Sequence, residues 1–216
     1  MTRPLTPHLI RAVPWWPFAG AVLLAVVAQL PVLLKDPPPA MIVIDLRIAA
    51  AVLGAAAGFA LPDLMASTVI SPLPRWRRQW LRIALLLVPS VLVWGLLYLA
   101  VRNAAGPAVT WPHGFVILQA AVCGLLPVAA AAVGARYRDD ASGALLGPVV
   151  QGVVLVVSLF FTDRSSPWLL PMDGVWTTAQ RCWPIALALV LVTLLVANRE
   201  TPATPYLTAR REGGKR

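Results

Sequence analysis

Charge is scarce in this sequence: 12% of its 216 residues are charged, about half the roughly 25% of a soluble domain. So few charges cannot cover a globule of this size with polar surface, which excludes an ordinary soluble enzyme. At 59% hydrophobic residues, a disordered chain is excluded as well. Two cysteines, Cys123 and Cys182, are too few and too far apart for a disulfide framework or a CxxC zinc site. Two histidines, His8 and His113, stand alone and give no HExxH metal motif. Two lysines, Lys35 and Lys215, leave no GxxxxGK[ST] loop, because Gly213-Gly214-Lys215 has no helix after it to complete a phosphate cradle. Ser142, Ser165 and Ser166 have no GxSxG surroundings. Asp139-Asp140 is an adjacent acidic pair that reads as a cap on the helix that follows it. Cys123 sits in an apolar run, where a thiol is inert. The expectation is a non-enzyme with no catalytic residue, no metal site and no cofactor.

Long apolar runs are what the sequence does have. A bilayer core about 30 Å thick takes about 20 mostly apolar residues of helix. Six segments come close: Pro17 to Leu34, Met41 to Leu61, Arg82 to Val101, Gly114 to Gly134, Ala141 to Phe161, and Cys182 to Ala197. The expected fold is all-α, a polytopic membrane protein of six transmembrane helices. It divides into an interfacial amino-terminal segment (1–16), the membrane domain (17–197) and a basic tail (198–216). The first span follows Arg3 and Arg11 as a signal peptide would. No small-x-small site stands cleanly after it, so it reads as an uncleaved helix.

The net charge of +9 suits either nucleic acid or a membrane surface, and its placement decides between them. With the amino terminus inside, thirteen basic residues are cytoplasmic: Arg3, Arg11, Arg75, Arg77, Arg78, Arg82, Arg136, Arg138, Arg199, Arg210, Arg211, Lys215 and Arg216. Four lie outside (Lys35, Arg102, Arg164, Arg181), and Arg47 falls within the second span. Positive residues are retained on the cytoplasmic side, so both termini are expected there, in the plasma (inner) membrane. The charge is a topology signal and gives no reason to invoke nucleic acid. The tail's basic pairs also suit anionic lipid.

Within the spans, Ala50, Gly54 and Gly58 recur four apart, a flat strip that another helix can approach closely. Gly143 and Gly147 repeat the pattern in the fifth span. Pro89 and Pro127 fall well inside their spans, where they should kink the helix. Gln29, Gln119 and Gln151 either line a substrate path or hydrogen-bond between helices. Asp45 and Arg47 lie roughly 6–9 Å below Met41, shallow enough to snorkel outward. The outer segment from Thr162 to Arg181, with Trp168 and Trp176, reads either as a short re-entrant or interfacial segment or, preferably, as an aromatic anchor.

The loop from Pro62 to Arg82 carries the most mechanism. Asp63 is an N-cap, and Leu64, Met65, Thr68, Val69 and Ile70 follow as a short amphipathic helix that Ser71-Pro72 stops. Arg75, Trp76, Arg77, Arg78, Trp80 and Arg82 then seat the next span, aromatics at headgroup level and guanidiniums toward phosphate. This cluster reads either as an anchor alone or as the base of a helix presented to a soluble partner.

The stretch AAAGFALPDLMASTVISPLPRWRRQWLRIALLL resembles small six-span permeases of type-2 ABC exporters from high-GC bacteria. The closing Ala-Asn-Arg-Glu-Thr-Pro is similar to that family's passage into a basic tail. Where the family tends to carry two acids, this chain has Pro62-Asp63. The resemblance implies a permease subunit without a nucleotide-binding domain, paired with a second copy or a similar chain and driven by a separate ATP-binding cassette ATPase. It also implies that the helix from Leu64 to Ile70 couples the ATPase to the pore within the 62–81 loop. The Pro4-to-Val13 stretch would be an interfacial connecting helix, although its three prolines suit that poorly. An accessory, assembly or immunity membrane subunit that does not itself transport is the alternative. No polar constellation in the spans selects a substrate.

Overall fold

The computed structural model describes residues 15–34, 39–61, 75–106, 112–138, 141–161, 166–169 and 180–199. Among them the chain forms six helices and no strand: α1 (Trp15–Leu34), α2 (Pro39–Gly58), α3 (Arg75–Ala105), α4 (His113–Tyr137), α5 (Ala141–Ser158) and α6 (Cys182–Ala197). The Leu64–Ile70 helix, Asp63, the Pro4–Val13 stretch, Asp139-Asp140, Trp176 and the tail beyond Arg199 lie outside the described residues.

Proline placement sets several starts. Pro39 opens α2, where its missing N–H has no intrahelical acceptor to lose. α3 begins directly after Pro74 rather than at Arg82, because Arg-Trp-Arg-Arg-Gln-Trp-Leu holds no helix breaker. The third span is therefore the upper part of a 31-residue helix. It ends at Gly106, whose φ of +69° is the left-handed conformation in which helices commonly terminate. α2 and α5 end sooner than the apolar runs, at Gly58 and Ser158, and close in turns whose N–H groups reach back three residues. Pro31, Pro89, Pro127 and Pro148 all lie inside continuous helices.

Four helices, α1 to α4, are long and apolar enough to cross a membrane, while α5 and α6 are shorter apolar helices. Two of the four are interior: 61% of the apolar window is buried in both α2 and α4, against 22% in α1 and 28% in α3. Leucines and valines stand exposed along α1, α3, α5 and α6. In water such faces would aggregate; against acyl chains they need no cover. The chain is a helical membrane protein.

Consecutive helices run in opposite directions. At one end, Ala57 of α2 and Ala60 and Leu61 just after it pack with Ile83 and Leu86 of α3, Val128 to Ala135 of α4, and Val190, Leu194 and Ala197 of α6. At the other, Val32, Ile42, Val43 and Leu46 meet Tyr98, Val101 and Val116. Arg136 of α4 ties the first end together by donating at 2.6 Å to the Val196 carbonyl, a group at the α6 C-terminus that the Arg199 N–H also reaches.

Small residues set the distance between α4 and two of its neighbours, α2 and α5. A Cβ on Gly54 would lie 1.9 Å from the Gly124 carbonyl oxygen, and one on Gly124 would lie 3.3 Å from that of Ala50. A Cβ on Gly58 would meet Ala131 at 3.0 Å. On the opposite flank a Cβ on Gly134 would lie 2.1 Å from the Gly143 oxygen, and one on Gly147 would lie 2.7 Å from that of Pro127. Backbone therefore touches backbone on both sides of α4. That geometry supplies association in lipid, where apolar burial between helices gives little. The Gly54–Gly58 strip is occupied by the chain's own α4.

Candidate functional site

The stripe of α2 that faces α4 has a charged end. Arg47 stands three residues before Ala50, seven before Gly54 and eleven before Gly58, so all four share one helical face. Close contact along that face carries Arg47 into the protein. It is 4% exposed, not turned out toward the headgroups as its depth alone suggests. Asp45, the only carboxylate among the described residues, is two positions away and about 200° round the helix.

Three helices and a loop supply the surroundings of Arg47. Its Nε donates to Gln119 Oε1 of α4 at 2.8 Å, and its Nη1 donates to the Trp168 carbonyl at 3.3 Å. Gln119 Nε2 in turn donates to Gln180 Oε1 at 2.5 Å. The guanidinium carbon lies 5.5 Å from the centre of the Trp168 ring, a cation–π distance. Trp168 Nε1 donates to Ser158 Oγ at the end of α5, and the Trp168 and Trp183 rings meet edge to face with centroids 5.8 Å apart. Trp168 is thus folded over the bundle as a roof on Arg47. Arg47, Gln119, Gln180 and Ser158 are all buried. The acceptors in the cluster are neutral: the Gln119 and Gln180 amide oxygens, the Trp168 and Leu155 carbonyls, and the Ser158 hydroxyl.

Beside this cluster a cleft of about 390 Å³ opens between α2 and α5, within the range of roughly 300–1,000 Å³ usual for small-molecule sites. Ile44, Ile48, Ala51 and Cys123 form one wall and Leu155, Leu159 and Phe161 the other, with Arg47, Gln151, Ser158, Ser166 and Trp168 as its polar and aromatic groups. Ile44, Ile48, Leu155, Leu159 and Phe161 are themselves exposed on the lipid-facing surface, so the cleft opens sideways. A second apolar cleft of about 270 Å³ lies between α3 and α4 over the Gly54–Gly124 contact, with Ser90 as its polar group. The Ser90 hydroxyl already donates to the Leu86 carbonyl at 2.7 Å, the local bond by which serine is accommodated in an apolar helix.

The three glutamines expected to act alike have three different settings. Gln119 is the bridge between Arg47 and Gln180. Gln151 lines the cleft, and its buried Oε1 accepts no hydrogen bond. Gln29 is fully buried in α1, away from the cleft lining, and neither of its amide atoms has a partner. A buried amide without partners destabilises by about 1–3 kcal/mol. Gln29→Met, close in shape, is therefore expected to raise the unfolding free energy of the detergent-purified chain by about 1 kcal/mol, read from its thermal midpoint.

At the other end of the bundle, Trp76 and Arg77 are exposed, with the Arg77 guanidinium carbon 5.2 Å from the Trp76 ring centre. Trp80 packs on the main apolar cluster. Arg82 is 7% exposed; it is enclosed by the bundle, unlike the phosphate-facing role its spacing suggested. Arg75 and Arg78 occupy the first turn of α3.

Spacing reasoning missed Arg47, Gln180, Ser158 and Trp168 as one cluster. The signal for Arg47 was present in its position on the small-residue stripe. For Gln180 and Trp168 no local pattern existed, because they reach the cluster from outside the spans. Among the described residues no group of three or more histidine, cysteine or acidic side chains is placed to hold a metal ion. No protein-family model, curated protein or solved structure matches the chain.

Proposed function

We propose that the chain is the permease subunit of an ATP-dependent exporter of the type-2 ABC kind. In this reading α1 to α6 all cross the bilayer and both ends of the chain are cytoplasmic. A second copy or a similar chain completes the pore. A separate ATPase docks on the 62–81 loop through Leu64, Met65, Thr68, Val69 and Ile70.

The observation that carries this reading is the continuity of α3. It runs 31 residues from Arg75, about 46 Å at 1.5 Å per residue, and so joins the end of that loop to the far side of the bundle as one rod. Its first turns pack through Ile83 and Leu86 into the cluster that also holds the ends of α2, α4 and α6. A displacement of the loop would reach every helix in that cluster. Basic residues support the orientation. Arg75, Arg77, Arg78, Arg82, Arg136, Arg138 and Arg199 belong to this end of the bundle, against Arg102 and Arg181 at the other, and the more basic end is the cytoplasmic one. α5 and α6, with 18 and 16 residues, are about 27 and 24 Å long. Their flanking turns and local thinning of the bilayer make up the remainder.

The test is co-purification from detergent with the ATPases encoded beside the gene. The wild-type chain should retain one of them, and the double variant Met65→Asp, Val69→Asp should retain at least tenfold less at equal expression. Equal retention by the variant would remove the coupling assignment. Export that continues in a strain lacking the chain would instead make it an accessory subunit.

A further inference from the structure

We infer that the lateral cleft between α2 and α5 binds a membrane amphiphile with an anionic headgroup, a carboxylate or phosphate held by Arg47 above an acyl chain lying along α5. The site needs no ATPase partner, so its test stands apart from that of the exporter reading.

A guanidinium has five N–H donors and a permanent charge. Here Nε and Nη1 have acceptors, while Nη2 is buried without one. Both acceptors are neutral, and Asp45, the one described carboxylate, stands on another face of α2. A buried charge without a counter-charge is strongly unfavourable in a medium that cannot solvate it. Charged side chains at membrane depth pair with one another or with backbone carbonyls and mark substrate pathways; of these partners Arg47 has, among the described residues, only the Trp168 carbonyl, at 3.3 Å. Beside the cleft lining, Gln180 Nε2 and Trp183 Nε1 are buried donors that also lack acceptors, against one buried acceptor without a donor in the lining, Gln151 Oε1. The cluster therefore has donors in excess, which suits an oxyanion. The rest of the cleft is apolar and opens onto the surface that faces lipid, with Leu155 and Phe161 at 40% and 51% exposure on its outer wall. A small hydrophilic anion would leave that wall unfilled; an acyl chain covers it.

Native mass spectrometry of the full chain, purified in detergent and delipidated, tests this with four probes: oleic acid, oleyl alcohol, phosphatidylglycerol and phosphatidylcholine. Oleic acid should bind at least tenfold more tightly than oleyl alcohol. Arg47→Gln should abolish that preference and Arg47→Lys should keep part of it. Leu155→Trp fills the cleft from its exposed wall without touching the Arg47 hydrogen bonds. It should lower oleic acid binding at least tenfold, and it keeps the test decisive if Arg47→Gln does not fold. Phosphatidylglycerol binding that exceeds that of phosphatidylcholine and depends on Arg47 would identify a bilayer phospholipid as the source. Binding of oleic acid alone would identify a free fatty acid. Equal affinity for acid and alcohol, or wild-type binding by Leu155→Trp, would overturn the proposal. So would binding that appears only after Asp163→Asn and Asp173→Asn, since one of the chain's own acids would then be the partner of Arg47.

Discussion

Gly54→Ala should destabilise the purified chain by about 3 kcal/mol, the upper end of what overpacking costs. The added methyl carbon would lie 1.9 Å from the Gly124 carbonyl oxygen and 2.7 Å from its Cα. Those are backbone atoms of a neighbouring helix, so no side-chain rotation relieves the clash. α2 and α4 must separate, and the separation opens the contact at Gly58 and draws Arg47 away from Gln119. Gly134→Ala should act similarly through the Gly143 oxygen at 2.1 Å. Gly20, Gly95 and Gly152 are the controls, because a Cβ there would meet nothing within 4 Å. In a helix Gly→Ala is otherwise favourable by about 1 kcal/mol, so the control variants should match or exceed the wild-type thermal midpoint. Equal effects at Gly54 and Gly95 would mean that the α2–α4 contact is not made.

The second large effect belongs to Gln119. Gln119→Leu removes the acceptor of Arg47 Nε and the donor to Gln180 Oε1, and it leaves a buried guanidinium with one fewer partner. Hydrogen bonds to charged groups contribute about 1.5–3 kcal/mol, so a loss of about 2–3 kcal/mol is expected. Arg47→Met in the same chain removes the stranded charge. The double variant should then be more stable than the sum of the single losses predicts, by a coupling of about 1–3 kcal/mol. Reversible unfolding in mixed micelles measures all four corners of this cycle. Strictly additive losses would show that Arg47 and Gln119 do not act together.

These two positions also mark how far the amino-acid sequence could be read. Helical class, membrane character and the place of each apolar run follow from composition and length, because hydrocarbon admits few ways to satisfy a backbone. The small-residue strips were equally legible. Their partners were not, since spacing says that a face is flat without saying which helix lies on it. Arg47 was misjudged for that reason: depth alone allows a long side chain to snorkel, and only the stripe it shares with Ala50, Gly54 and Gly58 turns it inward. Trp168 read as an anchor because aromatic residues near a span usually are. Its position over Arg47 depends on a loop folding back, which no local pattern encodes. α3 began seven residues before the apolar run because a helix continues through polar residues of good propensity as readily as through apolar ones. For the Leu64–Ile70 segment, the residues that carry the coupling argument lie outside those described.

That segment is where the account is most directly tested. Met65→Cys, in a chain with Cys123→Ala and Cys182→Ala, is treated in inverted membrane vesicles with a short thiol-reactive cross-linker in the presence of the co-encoded ATPase. The account predicts a covalent adduct between the two chains, formed from the cytoplasmic face and lost when Val69→Asp is added. A cysteine at position 65 that labels only from the opposite face, or that labels from the cytoplasm yet forms no adduct with any ATPase, would contradict it.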